Sequence, residues 1–175
     1  NMHTIILVFR VKSTFFTKKS GIFLLNIGMN MHKIMGILRE NRKKLHIAGE
    51  MLNQHLCKAE SVYEDLPEYF TAKYQIKPDT ILGLETVPAG KTLDLHTDTN
   101  YNRYSNMLIN VGETNVTITH NNNDVLEHSV IEPDSHFLLD TTKQHGCENT
   151  SDCDAEFLTI NWGQTYEQVL NRNII

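Results

Sequence analysis

Between residues 31 and 60 the apolar positions Ile34, Met35, Leu38, Leu45, Leu52 and Leu56 recur near helical spacing. The basic cluster Arg39, Arg42, Lys43 and Lys44 falls mainly on the other faces, so the stretch predicts one or two amphipathic helices with a solvated basic side. The next stretch, "SVYEDLPEYFTAKY", continues as short helical or irregular structure broken at Pro67, and Pro78 marks a boundary. Beyond Pro78 the period changes. "TILGLETV", "KTLDLHTD", "YSNMLINV", "NVTITH", "HFLLD" and "EFLTINW" are short, β-branched or aromatic, and separated by turn residues, which predicts a run of six strands. Pro88, Ala89 and Gly90 make a tight turn, and Asn121 to Asp124 a polar hairpin loop. Helices followed by closely spaced strands predict an α+β chain, an antiparallel sandwich or jelly-roll barrel with N-terminal helices packed outside.

Length and composition narrow this picture. A chain of 175 residues fits one domain over 31–175, mainly helical over 31–77 and a jelly-roll core over 78–175, with 1–30 as an N-terminal extension. The apolar pieces "TIILVF" and "GIFLLNIGM" are too short to span a bilayer, and no small-residue cleavage pattern follows the lysines Lys12, Lys18 and Lys19. No membrane partner is expected. A net charge of -5 argues against a broad phosphate-neutralising face, so no nucleic-acid partner is expected either. Cys57, Cys147 and Cys153 form no CxxC pair, which indicates neither a disulfide framework nor a zinc knuckle and fits the cytoplasm.

The candidate chemistry sits in "LDLHTDTNYNR". Residues two apart in a strand share a face, so His96 and Asp98 are expected to point together into the barrel while Leu93 and Leu95 pack on the other side. An imidazole and a carboxylate suit a divalent first-row metal, and a second histidine would complete the 2-His-1-carboxylate arrangement that leaves positions open on Fe(II). His145 is that histidine: it follows the apolar strand "HFLLDTT", where a returning chain can meet the first strand. His120, His128 and His136 read as turn or surface residues, and His3, His32, His46 and His55 precede the barrel without ligand-like spacing.

These segments resemble the double-stranded β-helix oxygenases that use Fe(II) and 2-oxoglutarate, in particular the aspartyl/asparaginyl β-hydroxylase-like branch. "VPAGKTLDLHTD" resembles its strand, turn and first metal ligands, "RYSNMLINV" its arginine-bearing strand, and "FLLDTTKQHGCEN" the strand ending in the distal histidine. The resemblance covers roughly residues 80 to 163. It implies that His96, Asp98 and His145 hold Fe(II), and that decarboxylation of 2-oxoglutarate drives hydroxylation of a C–H bond in a small-molecule or peptide substrate. One departure stands out: the strand after the distal histidine, "DAEFLTINWG", has Glu156 where such families commonly carry a cation for the far carboxylate. Arg103 is the natural substitute, since its guanidinium holds a carboxylate through two parallel hydrogen bonds. Lys143 or the hydroxyl donors Tyr104 and Thr159 are further candidates. Glu156 is expected to point outward or to be paired, and Tyr101, Tyr104, Asn106 and Trp162 are candidate wall residues. Two other classes keep the same barrel: a cupin-like metal protein or enzyme that does not use 2-oxoglutarate, and a non-catalytic binding barrel. Neither the primary substrate nor the oligomeric state follows from the sequence.

Overall fold

The computed structural model describes residues 31–40, 55–98, 105–172 and 174. The expected extension 1–30, the apolar positions Leu45 and Leu52, and residues 99–104, with Tyr101, Arg103 and Tyr104, lie outside the described residues.

Residues 31–40 form a helix, α1, on which Ile34, Met35 and Leu38 are buried as their spacing predicts. The helical expectation fails at Leu56. His55–Lys58 is a strand, β1, because Leu56 and Cys57 find partners in Gly83 and Leu82 of the following strand. Sheet pairing there overrides a local spacing that fits a helix. Two 3₁₀ turns, Ala59–Ser61 and Tyr63–Asp65, lead to α2 (Glu68–Lys73), which starts at Pro67. Among the described residues of 31–77, a strand and two 3₁₀ turns thus accompany the two helices.

Eight further strands follow: β2 (Ile81–Val87), β3 (Thr92–His96), β4 (Asn106–Asn110), β5 (Val116–Asn122), β6 (Val125–Ile131), β7 (His136–Leu139), β8 (His145–Glu148) and β9 (Ala155–Asn161). The six predicted strands are β2, β3, β4, β5, β7 and β9. Their turns obey residue chemistry: Gly90 takes φ 63° with Lys91 N–H donating to the Pro88 carbonyl, and Asn123 and Asp124 take φ 51° and 64° in the β5–β6 hairpin. A capped helix, α3 (Tyr166–Leu170), closes the described chain, with the Thr165 hydroxyl accepting from Gln168 N–H.

The strands form two antiparallel sheets, ordered β1-β2-β9-β4-β7 and β3-β8-β5-β6. With β1 set aside as an added edge, the pair of orders 2-9-4-7 and 3-8-5-6 is a jelly roll. Between the sheets lie Val87, Leu108, Val116, Ile118, Ile131, Leu139, Ala155 and Phe157. On the other face of the larger sheet, Leu82, Met107, Ile109, Leu158 and Ile160 pack with Ile34, Leu38, Phe70, Tyr74 and Val169 of the helical layer. Glu156 lies on this outer face and pairs with Arg39 of α1, as its expected outward orientation requires.

Candidate metal centre

His96 ends β3 and His145 begins β8, and the antiparallel register sets them directly opposite each other. The strand alternation expected around them is broken by a bulge. Leu93 pairs with Cys147 and His96 with His145, so three residues of β3 advance against two of β8. Leu93 and His96 consequently both line the inter-sheet cavity, while Leu95 is left 43% exposed. This corrects the expectation that Leu93 packs away from His96. Gly146 lets the strands approach, because a Cβ there would lie 2.6 Å from the Leu93 carbonyl oxygen. Asp98 follows the end of β3 and is held by its N–H donating to the Thr141 carbonyl at 2.9 Å.

One ligand atom from each of His96, Asp98 and His145 lies within 4.8 Å of the others. The Nε2 atoms of His96 and His145 are 3.7 and 3.9 Å from Asp98 Oδ1, too long for hydrogen bonds and close enough to share one ion. The other ring nitrogens are already committed: His96 Nδ1 meets the Asp94 carbonyl at 2.8 Å, and His145 Nδ1 the Lys143 carbonyl at 2.9 Å. A carbonyl only accepts, so both Nδ1 atoms carry a proton, and both Nε2 atoms are left to face Asp98. Metal-binding imidazoles are oriented by such bonds. Burial holds the His145 pKa below the usual histidine range, which keeps the neutral, ligating form at neutral pH. Two imidazoles and a carboxylate are a fitting donor set for a divalent first-row ion.

The cavity is about 50 Å³ and is walled by Val87, Leu93, Leu108, Ile118, Leu139 and Phe157, with Glu85, Asn106 and Cys147 as its other polar contributors. Burial, and then the charge of Glu85, pushes the Cys147 thiol up to about 11, so it stays protonated. Among the described residues lining this cavity there is no lysine or arginine. Three further sequence candidates, Thr159, Trp162 and Lys143, are described and fall elsewhere. Thr159 is buried on β9 opposite Gly83, where any Cβ would meet its hydroxyl, and it does not line the cavity. Trp162 points to the helical layer, donating to the Tyr74 carbonyl at 3.0 Å, rather than forming a wall of the site. His120 and Lys143 border a wider cleft of about 310 Å³ that shares Leu139 with the metal cavity. Glu85 escaped the sequence reading, although a lone charge at an inward position of the apolar strand "ILGLETV" was a signal for it.

Strand order and donor set together define a double-stranded β-helix barrel with a His–Asp–His group able to hold a metal ion. No protein-family model matches the chain, and no curated protein does. Solved structures with a partial likeness include peruvianin-I, a cysteine peptidase from Thevetia peruviana latex (14% identity, 70% of this chain and 69% of that one, TM-score 0.46). Others are the Drosophila melanogaster CENP-C cupin domain (12%, 46% and 59%, TM-score 0.40) and the DMSP lyase DddQ of Ruegeria pomeroyi (12%, 47% and 37%, TM-score 0.38). The chain therefore spans less than two thirds of the length of the last two. No helix among the described residues is long and apolar enough to cross a membrane.

Proposed function

We propose that the protein is a mononuclear Fe(II) enzyme that uses 2-oxoglutarate and dioxygen to hydroxylate a C–H bond in a small molecule or a peptide side chain. The observation that carries this reading is the convergence of two Nδ1-tethered histidines and one aspartate at a barrel cavity. His96, Asp98 and His145 would hold the metal and leave positions open for co-substrate and dioxygen. Metal and co-substrate would supply the oxidative chemistry, oxidative decarboxylation of 2-oxoglutarate coupled to oxygen insertion into the substrate. The protein's part is orientation and shielding: the Asp94 and Lys143 carbonyls fix the two rings, and Val87, Leu108, Ile118 and Phe157 keep bulk water from the reacting centre. Arg103 is assigned the far carboxylate of 2-oxoglutarate.

A second reading, a cupin-like metal protein that does not use 2-oxoglutarate, is favoured by one observation. The described cavity wall carries no lysine or arginine to meet a dianionic co-substrate. Anaerobic titration with Fe(II), followed by 2-oxoglutarate, separates the two. The first reading requires about one Fe(II) per chain, a metal-to-ligand charge-transfer band on adding 2-oxoglutarate, and slow succinate formation in air. His96→Ala and His145→Ala should abolish stoichiometric metal uptake while circular dichroism stays native, and Asp98→Ala should stop succinate formation. Metal uptake without the band or succinate would transfer the assignment to the second reading. Unchanged uptake in both histidine variants would sink the metal centre itself.

A further inference from the structure

We propose that the metal cavity contains a built, neutral subsite for a carboxylate or carbonyl oxygen, the side-chain amino group of Asn106. This inference rests on the metal reading and adds a residue to it. The argument starts at the Gly163 backbone N–H, which can only donate, and which donates to Asn161 Oδ1 at 2.8 Å. That bond fixes the Asn161 amide, so its Nδ2 is the end that reaches Asn106, donating to Asn106 Oδ1 at 2.9 Å. Asn106 is fixed in turn. Its oxygen is occupied, and no acceptor among the described residues takes its amino group, although the residue is only 7% exposed and lines the cavity with His96, Asp98 and His145. An amide held in this orientation offers its amino group to whatever occupies the cavity.

The cavity's other polar side chains are acceptors or already committed: Asp98 and Glu85 are carboxylates, and both histidines give their Nδ1 protons to carbonyls. Asn106 therefore supplies two N–H donors to a cavity whose charged side chains among the described residues are the carboxylates of Asp98 and Glu85. Its ligand class is a small carboxylate or α-keto acid whose oxygen lies beside the metal position.

Oxalate and 2-oxoglutarate serve as probes on full-length protein loaded with Zn(II), which is diamagnetic. In protein labelled with ¹⁵N-asparagine, oxalate should shift the Asn106 side-chain amino resonances. Asn106→Asp turns the donor into an acceptor and should weaken oxalate and 2-oxoglutarate binding by roughly tenfold or more, with Zn(II) affinity not reduced. Asn161→Asp tests the relay without touching the cavity. Its carboxylate still accepts from Gly163 but can only accept from Asn106, so that amide should flip and present its oxygen inward, with a similar loss of affinity. If Asn106→Asp fails to fold, Asn161→Asp and the wild-type resonances still decide. Unchanged probe affinity in a folded variant overturns the subsite and leaves the metal centre standing. Wild-type Asn106 resonances that saturating oxalate does not move, with or without metal, overturn it as well. Absence of metal uptake overturns the metal reading, and the resonances of the metal-free protein then judge the subsite.

Discussion

At the residue scale, protonation and access are set by where each side chain sits rather than by its type. The three cysteines show this. Cys57 and Cys147 are buried and free, and burial raises both thiols, whereas Cys153 is exposed. Thiolates, not thiols, react with alkylating agents. Native protein treated with iodoacetamide near pH 8 should therefore modify Cys153 alone in the fast phase, with the other two reacting only on unfolding. Mass mapping that found Cys147 labelled as fast as Cys153 would contradict the burial of Cys147 in the cavity wall. The sequence discloses such residues unevenly. His96, Asp98 and His145 were legible because metal ligands advertise themselves by donor type and by position at strand ends. Asn106 could be read only as a wall residue, since its donor orientation is decided by Asn161 and Gly163, more than fifty positions away.

At the element scale, the strands legible in sequence were those with apolar or β-branched runs, such as Ile81–Val87 and Ala155–Asn161. β8 was not, because "HGCE" has no alternation; it is a strand because it is sandwiched between β3 and β5. The bulge was equally hidden, as nothing in "TLDLH" marks where alternation breaks. Gly146 is its counterpart on the partner strand. Its would-be Cβ meets backbone at 2.6 Å, and backbone cannot yield as a flexible side chain does. Gly146→Ala should therefore displace β3 from β8 at the level of the two histidines, lowering metal affinity along with stability by about 1 to 3 kcal/mol. A melting curve and a Co(II) titration check both. A variant with unaltered affinity would show that the close approach does not position the ligands.

At the scale of the molecule, the outer layer is attached to the barrel by apolar contact. Ile34 and Leu38 are almost completely buried in the same cluster as Leu158 and Ile160, whereas the Arg39–Glu156 pair beside them is partly solvated. Exposed ion pairs contribute ~0 to 1 kcal/mol, and truncating a buried leucine costs about 2 to 5 kcal/mol. Leu38→Ala should accordingly lower the denaturation midpoint well beyond Arg39→Ala in urea titrations. Equal effects would mean that charge, not burial, holds α1 in place. The overall architecture was predictable because helical spacing gives way to short strands after Pro78, but β1 shows where that rule stops: a strand added to a sheet edge is chosen by its partner.

The bulge also ties the centre to chain length. Because β3 spends one more residue than β8 between Leu93 and His96, the inward direction of His96 depends on a count and not on the identity of the residues counted. Asp94 and Leu95 are exposed, and Asp94 holds the His96 ring through its main-chain carbonyl, so either position accepts a different side chain. Deleting one of them would keep every ligand in the sequence and still force Leu93 or His96 out of the cavity. Between Leu93 and His96 the gene can change its letters more freely than its length.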